Sequence, residues 1–351
     1  MLRSAVRDLQ WRRRRFAIAV LGVALVFGMT LVITGVSAGF GAEAARTVTE
    51  MGASQWIVAK GADGPFLGAA PFPLSDLRRL AGLPGIVEAA PTVYAHKDVV
   101  QAATDTPVNV FGAPAGSFAM PAVSSGRRPL TDDEIAISNK LRGYPLGSRV
   151  RLGGSSFTVV GIVDDSTALA GTPNVFLPLH AAQLLAFAGL PVASAMAVKG
   201  HVRASQVPGF TLLTDAAARA DLLRALRSAQ SSITFLALLL WLVAAMIVGS
   251  VIYVSVLERQ RDFAVFKAIG ISTGSLLGSL AIQAVLLSLV AAVIGSGVAA
   301  VLGPNFPMPV ALTLRAYLLL PLLAVAVGLV ASLSGLRKAV AVEPALAFGG
   351  P

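Results

Sequence analysis

"LERQRDFAVFKAIG", Leu257 to Gly270, is the stretch on which the reading of this chain turns. It sets Glu258, Arg259, Arg261, Asp262 and Lys267 among Phe263, Val265, Phe266 and Ile269. Uncharged runs flank it on both sides, 228–257 before and 268–314 after. Long uncharged runs fit the interior of a bilayer, where one charged side chain costs about 3 kcal/mol. A short charged segment between two such runs is therefore a return to water, a loop joining two spans. Its charges can pair locally if it is helical: Glu258 with Arg261, and Arg259 with Asp262, each contributing only a few tenths of a kcal/mol. Lys267 suits the last turn, Gly270 the C′ position, and Ser272 or Thr273 the cap of the next helix. Phe263, Phe266 and Ile269 form one apolar stripe. On physical grounds alone, that stripe fits a lipid surface and a protein groove equally well.

The same contrast extends along the whole chain. Hydrophobic residues make up 55% of the 351 positions and charged residues 13%, a balance foreign to soluble domains. A bilayer core of about 30 Å takes about 20 helical residues. Spans are expected at 16–38, 233–257, 273–302 and 316–336. The run 268–314 could hold two, but its tail "GPNFPMPV" (Gly303–Val310) has three prolines and reads as an outer loop, 303–315. A cleaved signal peptide is the rival reading of the N-terminus. Its apolar run, Phe16–Ala42, exceeds the usual length of such a segment, so an uncleaved anchor is expected.

Orientation follows from Lys and Arg. Residues 1–15, the loop 258–272 and the tail 337–351 hold 11 basic and 4 acidic residues, whereas the loop 303–315 has only Arg315. Both termini are thus expected in the cytoplasm. The net charge of +10 reads as topology and contact with membrane lipid, not as nucleic-acid binding. Gly22, Gly28 and Gly249 mark places where helices pack closely, within the chain or across a homodimer seam.

Between the first two spans lies a region with 16 basic and 14 acidic residues, balanced like a soluble surface. Its flanks, 39–54 and 209–232, read as helical extensions of the spans, a stalk. The middle, 55–208, reads as mixed α/β. Strand signals fall at Gln55–Lys60, Thr92–Val100, Pro107–Gly112, Arg149–Leu152, Phe157–Val163 and Ser194–Gly200. Gly153–Ser156 is read as a hairpin turn, and Ser75–Gly82 and Leu179–Gly189 as short helices. The fold class expected is an α-helical membrane protein of four transmembrane helices, with a mixed α/β extracytoplasmic domain on a helical stalk.

Chemistry is sparse. The chain has no cysteine, and His96, His180 and His201 lack metal-ligand spacing. Thr131–Glu134 and Asp164–Asp165 read as turns. Neither a nucleophile elbow nor a G-x-x-x-x-G-K-[ST] phosphate loop is present. No ionisable residue lies within the expected spans, which argues against an ion-coupled carrier. An enzyme is not expected, and any energy input comes from a partner.

Here the motif adds its own information. "ERQRDFAVFKAIGIS", followed by a long apolar span, resembles the cytoplasmic loop of the FtsX/MacB-like ABC transporter permeases. The match lies at Glu258, Arg259, Arg261, Asp262, Ala264, Lys267, Ala268, Ile269 and Gly270. The segments "GASQWIVAKG", "LAGLPGIVEAAPTV" and "EIAISNKLRGYPLGSRVRLGGSSFTVVGIV" resemble that family's periplasmic core domain. The resemblance implies a stand-alone permease subunit in a bacterial cytoplasmic membrane. It implies a homodimer docking two copies of a cytoplasmic ABC ATPase, with ATP and Mg bound by that partner. The loop 258–272 becomes a coupling helix, with Phe263, Phe266 and Ile269 in the ATPase groove and the charges at its rim. Two functions then compete: export or extraction of a lipid, peptide or drug-like substrate, and mechanical signalling to an extracytoplasmic partner such as a cell-wall hydrolase.

Overall fold

The computed structural model describes residues 13–100, 105–258, 260, 262, 264–265, 269–270 and 272–340. The chain divides into two compact units, one of Met1–Ala38 with Gln230–Pro351 and one of Gly39–Ala229.

Among the described residues, four helices are long and apolar enough to cross a membrane. They are α1 (Arg13–Glu50), α5 (Arg227–Glu258), α6 (Thr273–Leu302) and α7 (Leu314–Val340). The expected four-helix class is thus met, and the run 268–314 holds one span. In the membrane unit one core joins Val23 and Phe27 of α1, Val248 and Ile252 of α5, Ala284 and Leu287 of α6, and Ala324 of α7. Small residues set the spacing. A Cβ on Gly295 would stand 2.7 Å from the Ala24 carbonyl, and one on Gly328 would stand 2.8 Å from the Val285 Cα. With no hydrophobic drive between helices in lipid, such close backbone contact is what holds spans together. The outward faces of α5 and α7 carry exposed Phe235, Leu238, Leu318 and Leu322, a surface that lipid covers.

The second unit is built on one eleven-stranded sheet among the described residues. Strands β1 (Gln55–Ala59), β12 (Ala195–Gly200) and β13 (Phe210–Thr214) form an antiparallel wing beside β3 (Ile86–Val99). The rest are β4 (Thr106–Ala113), β5 (Ser125–Gly126), β6 (Glu134–Ser138), β7 (Arg149–Leu152), β8 (Ser155–Val163), β9 (Thr167–Ala168) and β10 (Thr172–Pro178). Their pairing closes a ring, β3–β4–β10–β6–β8–β7 and back to β3 through Val99 and Leu152. Closure removes free edges. It also seals Val110, Ile135, Ile137, Val150, Val159 and Val175 inside, with α3 (Leu179–Phe187) packed on them. The long β3 is shared by wing and ring. On one face of the wing, α2 (Ser75–Ala81) helps cover Ile57, Met196 and Val198; β2 (Phe72–Pro73) and β11 (Val192–Ala193) pair beside it. On the other face, Ala44 and Val48 of α1, Met51 just beyond it and the short helix α4 (Asp215–Leu222) share one core with Trp56 of the wing and with Phe111 of β4 and Phe176 of β10.

Several local expectations changed. The central strand β10 was not expected, because Pro173 and Pro178 bracket it and proline usually demotes a strand. Here both prolines sit near its ends, and the four residues between are buried. Strand β13 was likewise missed, and β3 begins six residues earlier than expected. The turn of the β7–β8 hairpin is only Gly153–Gly154, with φ of 57° and 87°, the left-handed pair of a type I′ turn. Helix α2 is entered from Leu74 and has no side-chain cap. The segment 214–232 is not one helix leading into the second span. Thr214 caps α4 by accepting from the Ala217 N–H, but a 3-10 turn at Arg224–Leu226 separates α4 from α5.

Candidate functional site

Glu43, Arg46, Thr47 and Glu50 fall at helical intervals of three and four and so share one face of α1. That face meets the 164–171 loop, which carries the two-residue strand β9. The Glu43 carboxylate, 4% exposed, accepts from Thr167 Oγ1 (2.5 Å) and the Gly171 N–H (3.2 Å). Thr47 Oγ1 donates to the Thr167 carbonyl at 3.1 Å, and Glu50 accepts from Ser166 Oγ at 2.7 Å. Arg46 donates to the Asp165 carbonyl at 2.8 Å. Behind the loop, buried Asn174 donates to Ser166 Oγ and Thr47 Oγ1, and buried Asn109 donates to the Asn174 side chain. The loop is held in an unusual form: φ is positive at Asp165, Leu169, Ala170 and Gly171. A side chain in that region costs about 1 kcal/mol or more, so the bonds to α1 and to the asparagines offset stored strain.

A second carboxylate does the same work on the other flank. Asp221 of α4, 1% exposed, accepts from the backbone N–H groups of Phe66 (2.8 Å) and Gly68 (2.9 Å). Gly64 is required there, since its Cβ would lie 2.0 Å from the Asp221 Cγ. Arg224 anchors the same loop through Asp63 at 2.6 Å. Both helical segments that flank the sheet therefore grip it through a buried carboxylate and strand-connecting backbone. Neither residue belongs to a motif, and a lone acidic residue in an alanine-rich helix gave no signal. The Glu43–Glu50 spacing was the only trace.

The charge state of the first anchor depends on acidity. Burial pushes the Glu43 and Glu50 carboxyls above the ordinary 4.5, while hydrogen bonds from Thr167 and Ser166 and the charge of Arg46 pull them back. Both lie past Gly39, in the sheet unit. Elsewhere on that unit, hydrogen bonding to Arg127 takes Glu134 down to about 2, and Lys140 lowers Asp165. A raised folded value means the native state holds more protons above pH 4.5. Stability from Glu43 and Glu50 is thus complete below pH 4.5 and is lost as pH rises through their folded values. Stability from Glu134 is present above 4.5 and is lost as pH falls towards about 2. Thermal unfolding of the full chain is expected to peak in the mildly acidic range rather than at neutrality. Glu43→Gln is expected to flatten the limb above pH 4.5; an unchanged slope refutes this assignment.

In the membrane unit, a groove of about 510 Å³ is lined by Leu242, Met246, Gly249 and Tyr253 of α5 and by Val330 of α7. No group of three or more potential metal ligands occurs among the described residues. His180 instead faces Asp132 at 2.7 Å on the surface. Thr131–Glu134 is a turn closed by Glu134, which accepts from the Leu130 N–H at 2.9 Å.

Comparison with known proteins agrees with this architecture. The family model described as MacB-like periplasmic core domain matches residues 16–229, and the one described as FtsX-like permease C-terminal matches 234–344. The chain belongs to the FtsX/MacB-like ABC transporter permeases. It is 49% identical over its full length, and that of the relative, to an uncharacterized ABC transporter permease of Mycobacterium tuberculosis (strain ATCC 25618 / H37Rv). It is 24% identical, over 99% of each chain, to a Staphylococcus haemolyticus protein named "Putative hemin transport system permease protein HrtB". The periplasmic region of MacB from Actinobacillus actinomycetemcomitans aligns with 48% of this chain and 92% of its own, at 16% identity and a TM-score of 0.36. An ABC permease implies an ATPase partner, and the family's members are not themselves ATPases. The permease is a membrane protein with an extracytoplasmic domain.

Of the residues expected to couple the permease to its ATPase, Arg259, Arg261, Phe263, Phe266 and Lys267 lie outside the described residues. Glu258 and Asp262 are exposed, and Ile269 is 69% exposed. The Ile269 N–H donates to the Val265 carbonyl at 3.1 Å, and Gly270 has φ +91°. Ser272 caps α6 by accepting from the Ser275 N–H. Among the small residues, Gly28 lies against the Gly295 carbonyl at Cβ distance 3.0 Å, Gly22 has nothing within 4 Å, and Gly249 lines the groove.

Proposed function

We propose that this permease couples ATP hydrolysis by a separate, twofold ATPase to motion of its extracytoplasmic domain, and that the motion exports or extracts an amphiphilic substrate of lipid, peptide or drug-like class. The observation that carries the reading is in α1. One helix, Arg13–Glu50, holds both an apolar membrane-length run and the Glu43–Glu50 face gripping the 164–171 loop. In this reading a tilt of the span is passed to the domain through this helix. ATP and Mg bind the partner, and the permease acts as a homodimer with both termini in the cytoplasm of a bacterial inner membrane. The segment 258–270 docks in the ATPase, Phe263, Phe266 and Ile269 in its groove and Glu258, Arg259, Arg261, Asp262 and Lys267 about the rim. Burying each apolar anchor contributes about 1.5–3 kcal/mol.

The apolar groove beside Met246 and Tyr253 favours a moved substrate over pure signalling. So does the hemin named for one full-length relative, a flat and largely apolar molecule. Ile269 is exposed, so Ile269→Asp leaves the fold intact. In reconstituted permease–ATPase complexes this variant is expected to lower ATPase association at least tenfold, about 1.4 kcal/mol, with unchanged thermal unfolding. Full association by the variant refutes the docking role. Copurification of an extracytoplasmic protein with no substrate-dependent ATPase response favours signalling instead.

A further inference from the structure

The loop joining β6 to β7 surrounds a pocket that the anchors and the membrane groove leave unexplained. Its volume is about 350 Å³, at the lower end of small-molecule sites. The floor is apolar: Ile137, Leu141 and Ile162. Arg142 and Tyr144 stand at the wall. Arg142 is exposed, and among the described residues no carboxylate pairs with it. Ser138, also at the pocket, is fully buried, and its Oγ accepts from the Lys140 N–H at 3.2 Å. The free guanidinium beside an apolar floor is a donor awaiting an acceptor. The loop is itself fixed, since the Leu141 N–H donates to Ser138 and the Asn139 N–H to Val163.

The same loop touches the first anchor. The Asn139 side chain donates to Asp164 Oδ1 and accepts from the Asp165 N–H, both at 3.0 Å. Lys140 pairs with Asp165 at 2.7 Å. Asp165 is the residue whose carbonyl Arg46 of α1 holds.

We propose that this pocket binds a small anion bearing a flat or short apolar group, an aryl or acyl carboxylate or phosphate, and that occupancy tightens the 164–171 loop on α1. Arg142 pairs with the anion, and Leu141, Ile162 and the Tyr144 ring hold the apolar part. The binding half stands on the pocket alone; the tightening half rests on the proposed role of α1.

The test uses the full chain in phosphatidylcholine nanodiscs with phenyl phosphate as probe, read by calorimetry and by hydrogen exchange. Saturable sub-millimolar binding is expected, weakened at least tenfold by Arg142→Gln and at least tenfold weaker for phenol or inorganic phosphate. Exchange over 164–171 is expected to slow at saturation. Absence of saturable binding, or equal binding by Arg142→Gln, overturns the site. Inorganic phosphate binding as well as the probe overturns the ligand class. Binding without any change at 164–171 overturns the link to α1 and leaves ATPase coupling untouched. Loss of probe binding in phosphatidylglycerol nanodiscs assigns the anion to a lipid headgroup; retained binding assigns it to a soluble ligand.

Discussion

Asp221→Ala is expected to lower the stability of the sheet unit by about 2–4 kcal/mol, since a buried and a partly buried backbone donor lose their acceptor and each buried one costs about 1–3 kcal/mol. The donors are the N–H groups of Phe66, which is buried, and of Gly68, which is partly buried. Phe66 is itself central, with its ring between Trp56 and Tyr94 at 5.2 and 5.8 Å. Loosening the loop 62–69 therefore loosens the aromatic core beneath it. Asp221→Asn keeps one acceptor and is expected to lose less. Gly64→Ala is expected to act on the same contact, because its new Cβ displaces the carboxylate. Coupled sites do not add, so Asp221→Ala with Gly64→Ala is expected to lose little more than the first alone. Thermal unfolding and protease cleavage at 61–70 in the full chain measure this. Wild-type stability in Asp221→Ala, or full additivity in the double variant, refutes the anchor.

Glu43→Ala is expected to free the loop 164–171 while leaving the sheet folded. The variant removes the acceptor for Thr167 Oγ1 and for the Gly171 N–H. A hydrogen bond contributes about 1 kcal/mol between neutral groups and about 1.5–3 kcal/mol to a charged one. Strain at Leu169 and Ala170 adds to the release. Exchange of amides 166–172 is expected to rise by tenfold or more, and Glu43→Gln by clearly less because its amide oxygen still accepts. In the coupled complex, Glu43→Ala is expected to keep ATP hydrolysis and lose ATP-driven movement of the sheet unit, followed by a spin or fluorescent label on that unit. Movement of wild-type size, with exchange at 166–172 raised, separates the anchor from transmission and refutes the role given to α1.

Between them, the two anchors mark the border of what sequence reading reaches. The four spans were legible because bilayer thickness sets a length, and a run of that length without charge stands out in one dimension. The boundary between α5 and α6 was legible because charges interrupt such runs. Hairpin β7–β8 was legible because both its strands and its Gly-Gly turn are local. The ring of strands was not. It closes through β10 and through Val99 against Leu152, pairings between residues more than 50 apart. Nor was the division of one expected stalk helix into α4 and α5, since it follows from Asp221 gripping a loop more than 150 residues earlier.

The sequence by itself thus determined the class of this protein: a four-span permease whose charged loop and balanced outer region carry their meaning in order and composition. Only the tertiary structure decided how the outer domain is held. Glu43 and Asp221 look alike in sequence to any surface carboxylate. What distinguishes them is burial against backbone donors from distant loops, and desolvation is a property of what surrounds a group in space, not of its neighbours along the chain.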